Sequence, residues 1–142
     1  MIRYAEIRDR EGWFALDGHL PESAFDEKVR NRQGYVCEED GKIVGILRFG
    51  LFWDSIPFCN LLYIDEKFRR RGLGKQLVGR WERDQKAAGC GMVMTSTQAD
   101  EEAQHFWRLL GYKDAGGFVV DVPGYAQPTE MIMIKAIQVT EK

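Results

Sequence analysis

The stretch FCNLLYIDEKFRRRGLGKQLVGRWERDQKAAGCGMVMTS, residues 58–96, decides the fold, because it has the pattern of a strand, a turn, a helix and a second strand. Phe58 to Ile64 is an almost continuous apolar run, which is typical of a strand buried on both faces. The helix ends near Gly89 and carries an apolar stripe at helical spacing, namely Leu73, Leu77, Val78, Trp81 and Ala88. Gly91 to Ser96 is the second strand, so the two strands are predicted to be parallel and joined by a right-handed crossover.

The segments on either side predict a mixed α+β fold. Strands are expected at residues 2–7, 35–39, 42–50, 117–122 and 131–137, and helices at residues 10–18 and 21–32. Asp40-Gly41 indicates a tight hairpin, Trp53 to Pro57 is expected to be a loop, and Asp100 is expected to cap a short helix. The prediction is one domain over residues 1–142, with a mostly antiparallel central sheet that has one parallel crossover and helices on both faces.

The composition argues against several classes of protein. The chain has 142 residues and a net charge of −2, so no global field draws it to nucleic acid or to an anionic membrane. No run approaches the ~20 apolar residues of a membrane span, and the first residues do not have the pattern of a secretory signal. The three cysteines, Cys37, Cys59 and Cys90, lack metal-site spacing and are predicted to be free buried thiols. We therefore expect a cytoplasmic protein without a metal and without a nucleic-acid or membrane partner.

The turn Arg69 to Gly74 indicates an anion site, because it lies between a buried strand and the start of a helix. Free backbone N–H groups and the helix dipole favour a phosphate there, and Gly72 and Gly74 let it approach the backbone. A P-loop is excluded because Gln76 follows Lys75, and the dinucleotide fingerprint is excluded because Leu77 replaces its third glycine. A solvated basic turn is the alternative interpretation.

A second block, at residues 100–112, reads Asp-Glu-Glu-Ala-Gln-His-Phe-Trp-Arg-Leu-Leu-Gly-Tyr. Together with Arg-Arg-Arg-Gly-Leu-Gly at residues 69–74, it resembles the signature of the GNAT superfamily of acetyltransferases, and the resemblance extends over about residues 2–137. Two blocks in the right order are more specific than either block alone.

The resemblance implies an N-acetyltransferase that uses acetyl-CoA as co-substrate and acetylates an amine. It implies that the two parallel strands splay apart, with coenzyme A in the gap and the pantetheine arm paired with the backbone of Leu62, Tyr63 and Ile64. The pyrophosphate would be held by the amides of Arg69, Arg70, Arg71, Gly72, Leu73, Gly74 and Lys75. Family members often pair, so we expect a homodimer.

The candidate catalytic residues include one departure from the family. Trp107 stands where the family often has a tyrosine that protonates the leaving thiolate, and an indole N–H does not give up its proton near neutral pH. Its ring is expected to pack inward with its edge near the sulfur of the cofactor. Asp100, where the family usually has asparagine, is expected to serve only as a helix cap. Asp54 and Glu130 are the candidate general bases, and the alternative is that Asp54 is an exposed loop acid and Glu130 a charge at a sheet edge.

Two other functions are compatible with these residues. One is a coenzyme A-binding regulatory module with weak catalysis, which the tryptophan at position 107 favours. The other is an interaction protein whose arginines bind the acidic groups of a partner. The sequence does not identify the acceptor, so small amines, polyamines, antibiotics, amino acids, protein lysines and protein N-termini all stay open.

Overall fold

The computed structural model describes residues 1–138, and within them the chain forms seven strands and four α-helices. It divides into two compact units, one made of Met1–Gly50 and Cys59–Asp84, the other of Leu51–Phe58 and the residues from Gln85 onward. The single domain predicted over residues 1–142 ends in residues 139–142, which lie outside the described residues.

The first unit is built on antiparallel strands in the order β1-β2-β3-β4. Their bounds are β1 Ile2–Tyr4, β2 Gly34–Glu39, β3 Lys42–Phe52 and β4 Ile56–Ile64. Asp40 and Gly41, between β2 and β3, have φ angles of 50° and 76°. Both lie in the left-handed region, as a two-residue hairpin requires, so the predicted Asp-Gly hairpin is confirmed.

Helices cover both faces of the sheet in the first unit. They are α1 Arg10–Phe14, α2 Phe25–Arg30 and α3 Leu73–Ala87. Trp13 and Phe25 pack in one core cluster with Ile46 of β3. A Cβ placed on Gly45 would instead lie 3.2 Å from the side chain of Leu77 in α3. Because neighbouring residues of a strand point to opposite faces, α3 lies across the sheet from α1 and α2.

A polar network fixes α3 against β1 and β2. Asp84 Oδ2 accepts hydrogen bonds from the Tyr35 hydroxyl at 2.8 Å, the Tyr4 hydroxyl at 3.2 Å and Arg80 Nε at 2.9 Å. Burial, and then the hydrogen bond to Asp84, raise the pKa of Tyr35 above its usual range, so this hydroxyl stays a neutral donor. The network therefore holds the helix that follows the basic turn in one position.

The second unit contains an antiparallel sheet in the order β5-β7-β6 and a short helix. Its elements are β5 Met92–Gln98, α4 Ala103–Leu109, β6 Lys113–Val120 and β7 Gln127–Ala136. Gly111 ends α4 with a φ of 98°, as a helix-terminating glycine does. Leu51–Phe58, the tip of the β3–β4 hairpin, belongs to the same unit.

Several boundary predictions were wrong. The expected loop from Trp53 to Pro57 is only a turn at residues 53–55, because β4 already begins at Ile56. The strand at residues 58–64 is not buried on both faces, since Asn60 and Tyr63 are exposed. The helix expected over residues 10–18 ends at Phe14, because Asp17 turns the chain by accepting the backbone N–H groups that follow it.

Three residues do not have the roles that the sequence predicted. The N-cap of α4 is Glu102 and not Asp100, and it makes no side-chain cap hydrogen bond, because the helix begins only at Ala103. Ala88 lies beyond the end of α3 and is exposed, so it is not part of the apolar stripe. The three cysteines are free, but Cys90 is only half-buried.

Candidate active site

The basic turn is anchored to the end of β4 by Asp65. The backbone N–H of Asp65 donates to the Val44 oxygen at 2.8 Å, and its own oxygen accepts from the N–H of Phe68 at 2.8 Å. Its carboxylate accepts the backbone N–H of Lys67 at 3.1 Å. These bonds fold Glu66–Phe68 into a single 3-10 turn, which directs the chain from the strand into the basic segment.

Arg69 closes the turn back onto the strand. Its Nε donates to the backbone oxygen of Ile64 at 2.9 Å, and its guanidinium carbon lies 5.2 Å from the centroid of the Tyr63 ring. The next residue, Arg70, has a φ of 66°, which is unusual for a residue other than glycine. The backbone of the turn is therefore held by specific contacts on the strand side.

The start of α3 provides backbone donors beside an open glycine. The N–H of Gln76 donates to the Gly72 oxygen at 3.0 Å, and this is the first turn of the helix. The N–H groups just before it have no acceptor within the helix, as at every helix N-terminus. Gly72 has a φ of 79°, and a Cβ placed there would meet only Gln76 Nε2, at 4.0 Å. The conformation requires glycine, and the space above it fits an approaching phosphate.

The cations of the turn fall into two groups. Arg71 Nη1 lies 3.7 Å from Glu39 Oε2, and the guanidinium carbon of Arg71 lies 5.0 Å from the ring centroid of Phe68. The guanidinium of Arg69 contacts the end of β4, as described above. Arg70 and Lys75 are exposed, and within residues 1–138 neither forms an ion pair. The turn thus combines two cations that are available to an anion, Arg70 and Lys75, with two whose guanidinium groups contact other residues of the protein. This donor set is suited to a diphosphate.

The structure brings all ten predicted cofactor residues together in the first unit. Leu62, Tyr63 and Ile64 form the end of β4, and residues 69–75 follow after one short 3-10 turn. Leu62 and Ile64 are half-buried, whereas Tyr63 is exposed under the guanidinium of Arg69. The end of β4 therefore continues directly into the basic turn.

The structure places Trp107 in the interior of the second unit. The residue is only 5% exposed, and its ring makes edge-to-face contacts with Phe106 and Tyr112 at centroid distances of 5.4 and 4.9 Å. Its backbone oxygen accepts the N–H of Tyr112 at 3.1 Å. These contacts account for a packing role, which was one of the two roles expected for this residue.

The two candidate bases lie in different parts of the second unit. Asp54 is at the hairpin tip with a φ of 63°, next to Trp53, which is 75% exposed and whose ring is tilted against that of Phe52 at a centroid distance of 4.8 Å. Glu130 lies within β7, and its Oε1 accepts a hydrogen bond from Gln127 Nε2 at 2.7 Å. Within residues 1–138 no hydrogen bond, ion pair or ring contact joins any two of Asp54, Trp107 and Glu130.

Two residues that shape the turn are not among those predicted from the sequence. Asp65 comes directly after the strand and two residues before the N–H it accepts, which is the pattern of an aspartate-centred turn and could have been recognised. Phe68 supports the guanidinium of Arg71 on its ring, and no local pattern indicates this contact.

Comparison with known proteins agrees with this geometry. The sequence profile of the acetyltransferase (GNAT) family matches residues 3–112, which is most of the chain and includes the basic turn and α4. The chain belongs to this family. Comparison with curated protein sequences finds no match. The predicted fold class is confirmed, because the mixed α+β fold of seven strands and four α-helices matches that of solved GNAT structures.

Three solved GNAT-fold structures illustrate the similarity. Ard1 from Thermoplasma volcanium is 17% identical, with a TM-score of 0.85 and 98% of each chain covered. The ribosomal-protein-S18-alanine N-acetyltransferase from Escherichia coli is 16% identical, with a TM-score of 0.80, covering 100% of this chain and 96% of that one. The putative acetyltransferase yncA from Salmonella typhimurium, solved with acetyl-CoA, is 16% identical, with a TM-score of 0.79 and the same coverage. At this level of identity the similarity establishes the fold alone.

Among the described residues, no helix has the length and apolar content needed to cross a membrane.

Proposed function

We propose that this GNAT protein is an acetyl-CoA-dependent N-acetyltransferase that acetylates an amine by direct attack on the thioester. The observation that carries the proposal is the turn between β4 and α3, where left-handed Gly72, unpaired helix N–H groups and two available cations converge. A diphosphate is the ligand that this donor set suits, and coenzyme A is a diphosphate that carries an acyl thioester.

The chain would hold the cofactor from two sides. The backbone amides of residues 71–75 and the side chains of Arg70 and Lys75 would bind the pyrophosphate. The exposed end of β4, around Leu62 and Tyr63, would pair with the pantetheine arm through its backbone. The oxygen of Ile64 already accepts from Arg69, so we assign the pairing mainly to the two residues before it.

Acetyl-CoA, when bound, supplies an activated acetyl group with a thiolate leaving group, which needs little protonation near neutral pH. The chain must position the amine and remove its proton. Asp54 is our preferred base, because its carboxylate is exposed and has no hydrogen-bond or ion-pair partner within residues 1–138, whereas Glu130 is engaged by Gln127. Trp107 is assigned a packing role, so the thiolate would take its proton from solvent or from the ammonium that forms when the neutral amine attacks the thioester.

Two measurements test this function. Titration calorimetry with coenzyme A should give saturable binding that is lost when Arg70 and Lys75 are both replaced by methionine. A thiol-release screen with acetyl-CoA and an amine library should then detect turnover. Binding without turnover for every amine would favour the alternative, a regulatory module that binds coenzyme A. No binding would favour the interaction protein.

A homodimer is part of the same proposal. The second unit exposes Phe118, Val119, Val122 and Tyr125, apolar side chains that a partner subunit would cover. Light scattering at micromolar concentration should give twice the chain mass of 16.4 kDa. A single species at the chain mass would contradict it.

A further inference from the structure

A second cationic cluster lies in the first unit and consists of Arg48, Lys28 and the acid Asp17. Arg48 Nε donates to Asp17 Oδ2 at 2.8 Å, and the same oxygen accepts from Trp13 Nε1 at 3.0 Å. The other oxygen of Asp17 accepts two backbone N–H groups, so this carboxylate is fully engaged. Lys28 has no ion pair with any acid in residues 1–138. The cluster thus carries one more positive than negative charge.

Lys28 is held in place by neutral acceptors. Its Nζ donates to the Phe49 backbone oxygen at 2.7 Å and to Gln33 Oε1 at 3.3 Å. An ammonium has three N–H donors, so one is left without an acceptor in the described part of the chain. Burial, and then the charge of Arg48, lower the pKa of Lys28, while Glu27 acts in the opposite direction. These contacts fix the ammonium in a half-buried place that an anion would stabilise.

The donor nitrogens of two side chains converge on one face of Gly50. A Cβ placed on Gly50 would lie 3.2 Å from Asn60 Nδ2 and 3.6 Å from Lys28 Nζ. The φ of Gly50 is not in the left-handed region, so the backbone does not require glycine there. Because both nitrogens lie close to the same point on Gly50, one carboxylate can accept a hydrogen bond from each of them.

We infer that Lys28 and Asn60 bind a carboxylate of the acceptor, so that the substrate is an amine that also carries a carboxylate. This inference rests on the proposed function. Asn60 precedes Leu62 by two residues in β4, which is about 7 Å along a strand. A carboxylate held there lies a short molecule's length from the strand segment proposed to pair with the pantetheine arm. Two donors match the two oxygens of a carboxylate, whereas a phosphate would lack the backbone amides that the basic turn offers.

Matched acceptor pairs test the inference. Thiol release with acetyl-CoA is measured for β-alanine, glycylglycine and L-glutamate, and for β-alaninamide, glycylglycinamide and L-glutamine. The wild-type protein should prefer the acid in at least one pair by ~10-fold or more in kcat/KM, since a hydrogen bond to a charged group is worth about 1.5–3 kcal/mol. Lys28→Met and Gly50→Ala should each raise KM for the acid by ~10-fold with little change in kcat, and leave the amide unchanged.

The two variants alter the proposed site in different ways, so the test does not depend on the folding of a single variant. Lys28→Met removes the ammonium, whereas Gly50→Ala keeps it and displaces the Asn60 amide, because the added Cβ would lie only 3.2 Å from Asn60 Nδ2. Lys86→Met, an exposed lysine at the end of α3, is the matched control and should behave as wild type. Equal use of acids and amides by the wild-type protein, or a preference that survives both variants, would overturn the inference while leaving the proposed function intact.

If no acceptor is acetylated, a binding measurement distinguishes the carboxylate site from the proposed enzymatic activity. With coenzyme A present, N-acetyl-β-alanine and N-acetylglycylglycine should raise the unfolding temperature more than their amides do, and Lys28→Met should abolish the difference. That result without turnover would support the carboxylate site and contradict the proposed enzyme. An equal shift for acids and amides would overturn the site.

Discussion

Arg69 donates a hydrogen bond from Nε to the backbone oxygen of Ile64 at 2.9 Å, so this N–H of the predicted phosphate motif is already bonded within the protein. Its guanidinium also stands over the ring of Tyr63. If the turn binds the pyrophosphate as proposed, Arg69 would act mainly by shaping the turn, whereas exposed Arg70 would act by its charge. The two arginines should respond differently to substitution and to salt.

Arg69→Met should weaken coenzyme A binding by ~10-fold, because the turn loses a charge-assisted hydrogen bond to the strand. The loss of affinity should be as large at about 0.5 M salt as at about 0.05 M, because it comes from the changed backbone of the turn and not from an exposed charge that salt screens. Arg70→Met should also weaken binding at low salt, but high salt should remove most of the difference from wild type, because exposed charges are screened. Titration calorimetry at the two salt concentrations measures both effects. Identical salt dependence for the two variants would contradict this division of roles.

Gly72→Ala should disturb the anion site, because the residue would have to adopt a φ of 79° with a Cβ. The left-handed conformation is unfavourable by about 1–2 kcal/mol for a residue other than glycine, so we expect that loss of stability and weaker coenzyme A binding. Gly79→Ala is the matched control. It lies within α3, where a Cβ would meet only the flexible Arg83 side chain at 3.3 Å. It should stabilise the helix by about 0.5–1 kcal/mol and leave binding unchanged. Urea unfolding and calorimetry provide the two readouts.

Trp107→Phe should lower stability more than it lowers turnover. The buried ring loses contacts with Phe106 and Tyr112, which we expect to reduce the free energy of unfolding by about 1–2 kcal/mol. Turnover should fall less than ~10-fold, because an indole N–H is not an acid and general-acid help is worth ~10²–10⁴-fold where it exists. A drop of more than ~10²-fold in kcat with the fold intact would show that the indole N–H contributes to catalysis.

Local features of the fold and site could be predicted from the sequence. The Asp40-Gly41 hairpin and the basic turn with Gly72 each depend on residues that are adjacent in sequence, and each was placed correctly along the chain. The end of α1 was missed because Asp17 turns the chain with its side chain and is also the partner of Arg48. No periodic pattern in the sequence indicates that an acid such as Asp17 is buried by a partner that is distant along the chain.

Contacts between distant residues could not be predicted. Lys28 and Asn60 are 32 positions apart and meet only because α2 lies beside the β3–β4 hairpin at Gly50. Each alone looks like an ordinary surface residue. The inward packing of the Trp107 ring was predicted, but its edge-to-face contact with Tyr112, which follows the helix, could not be read from the sequence.

Asp17→Asn tests the buried ion pair that organises the cluster near Lys28. Burial raises the pKa of Asp17, but the hydrogen bonds from Arg48 and from the backbone of His19 and Leu20 outweigh it, and the net pKa is below the usual 3.8. A lowered pKa in the folded state means that the ionised group stabilises the fold above pH ~4, and that this contribution is lost as the pH falls through the folded-state pKa. Asp17→Asn leaves Arg48 half-buried without its acid.

At pH 7 the variant should therefore be less stable than wild type by about 3 kcal/mol, the usual effect of removing one partner from a buried pair. The difference should shrink as the pH falls from about 4 towards 2, because the wild-type carboxyl then becomes neutral as well. Asp114→Asn, which breaks the exposed pair with Arg108 at 3.1 Å, is the control and should change stability by less than about 1 kcal/mol at any pH. Urea unfolding from pH 7 to pH 2 on the three proteins measures these differences. A stability gap between wild type and Asp17→Asn that stays constant over this range would mean that Asp17 contributes through packing and hydrogen bonding, and not through its charge.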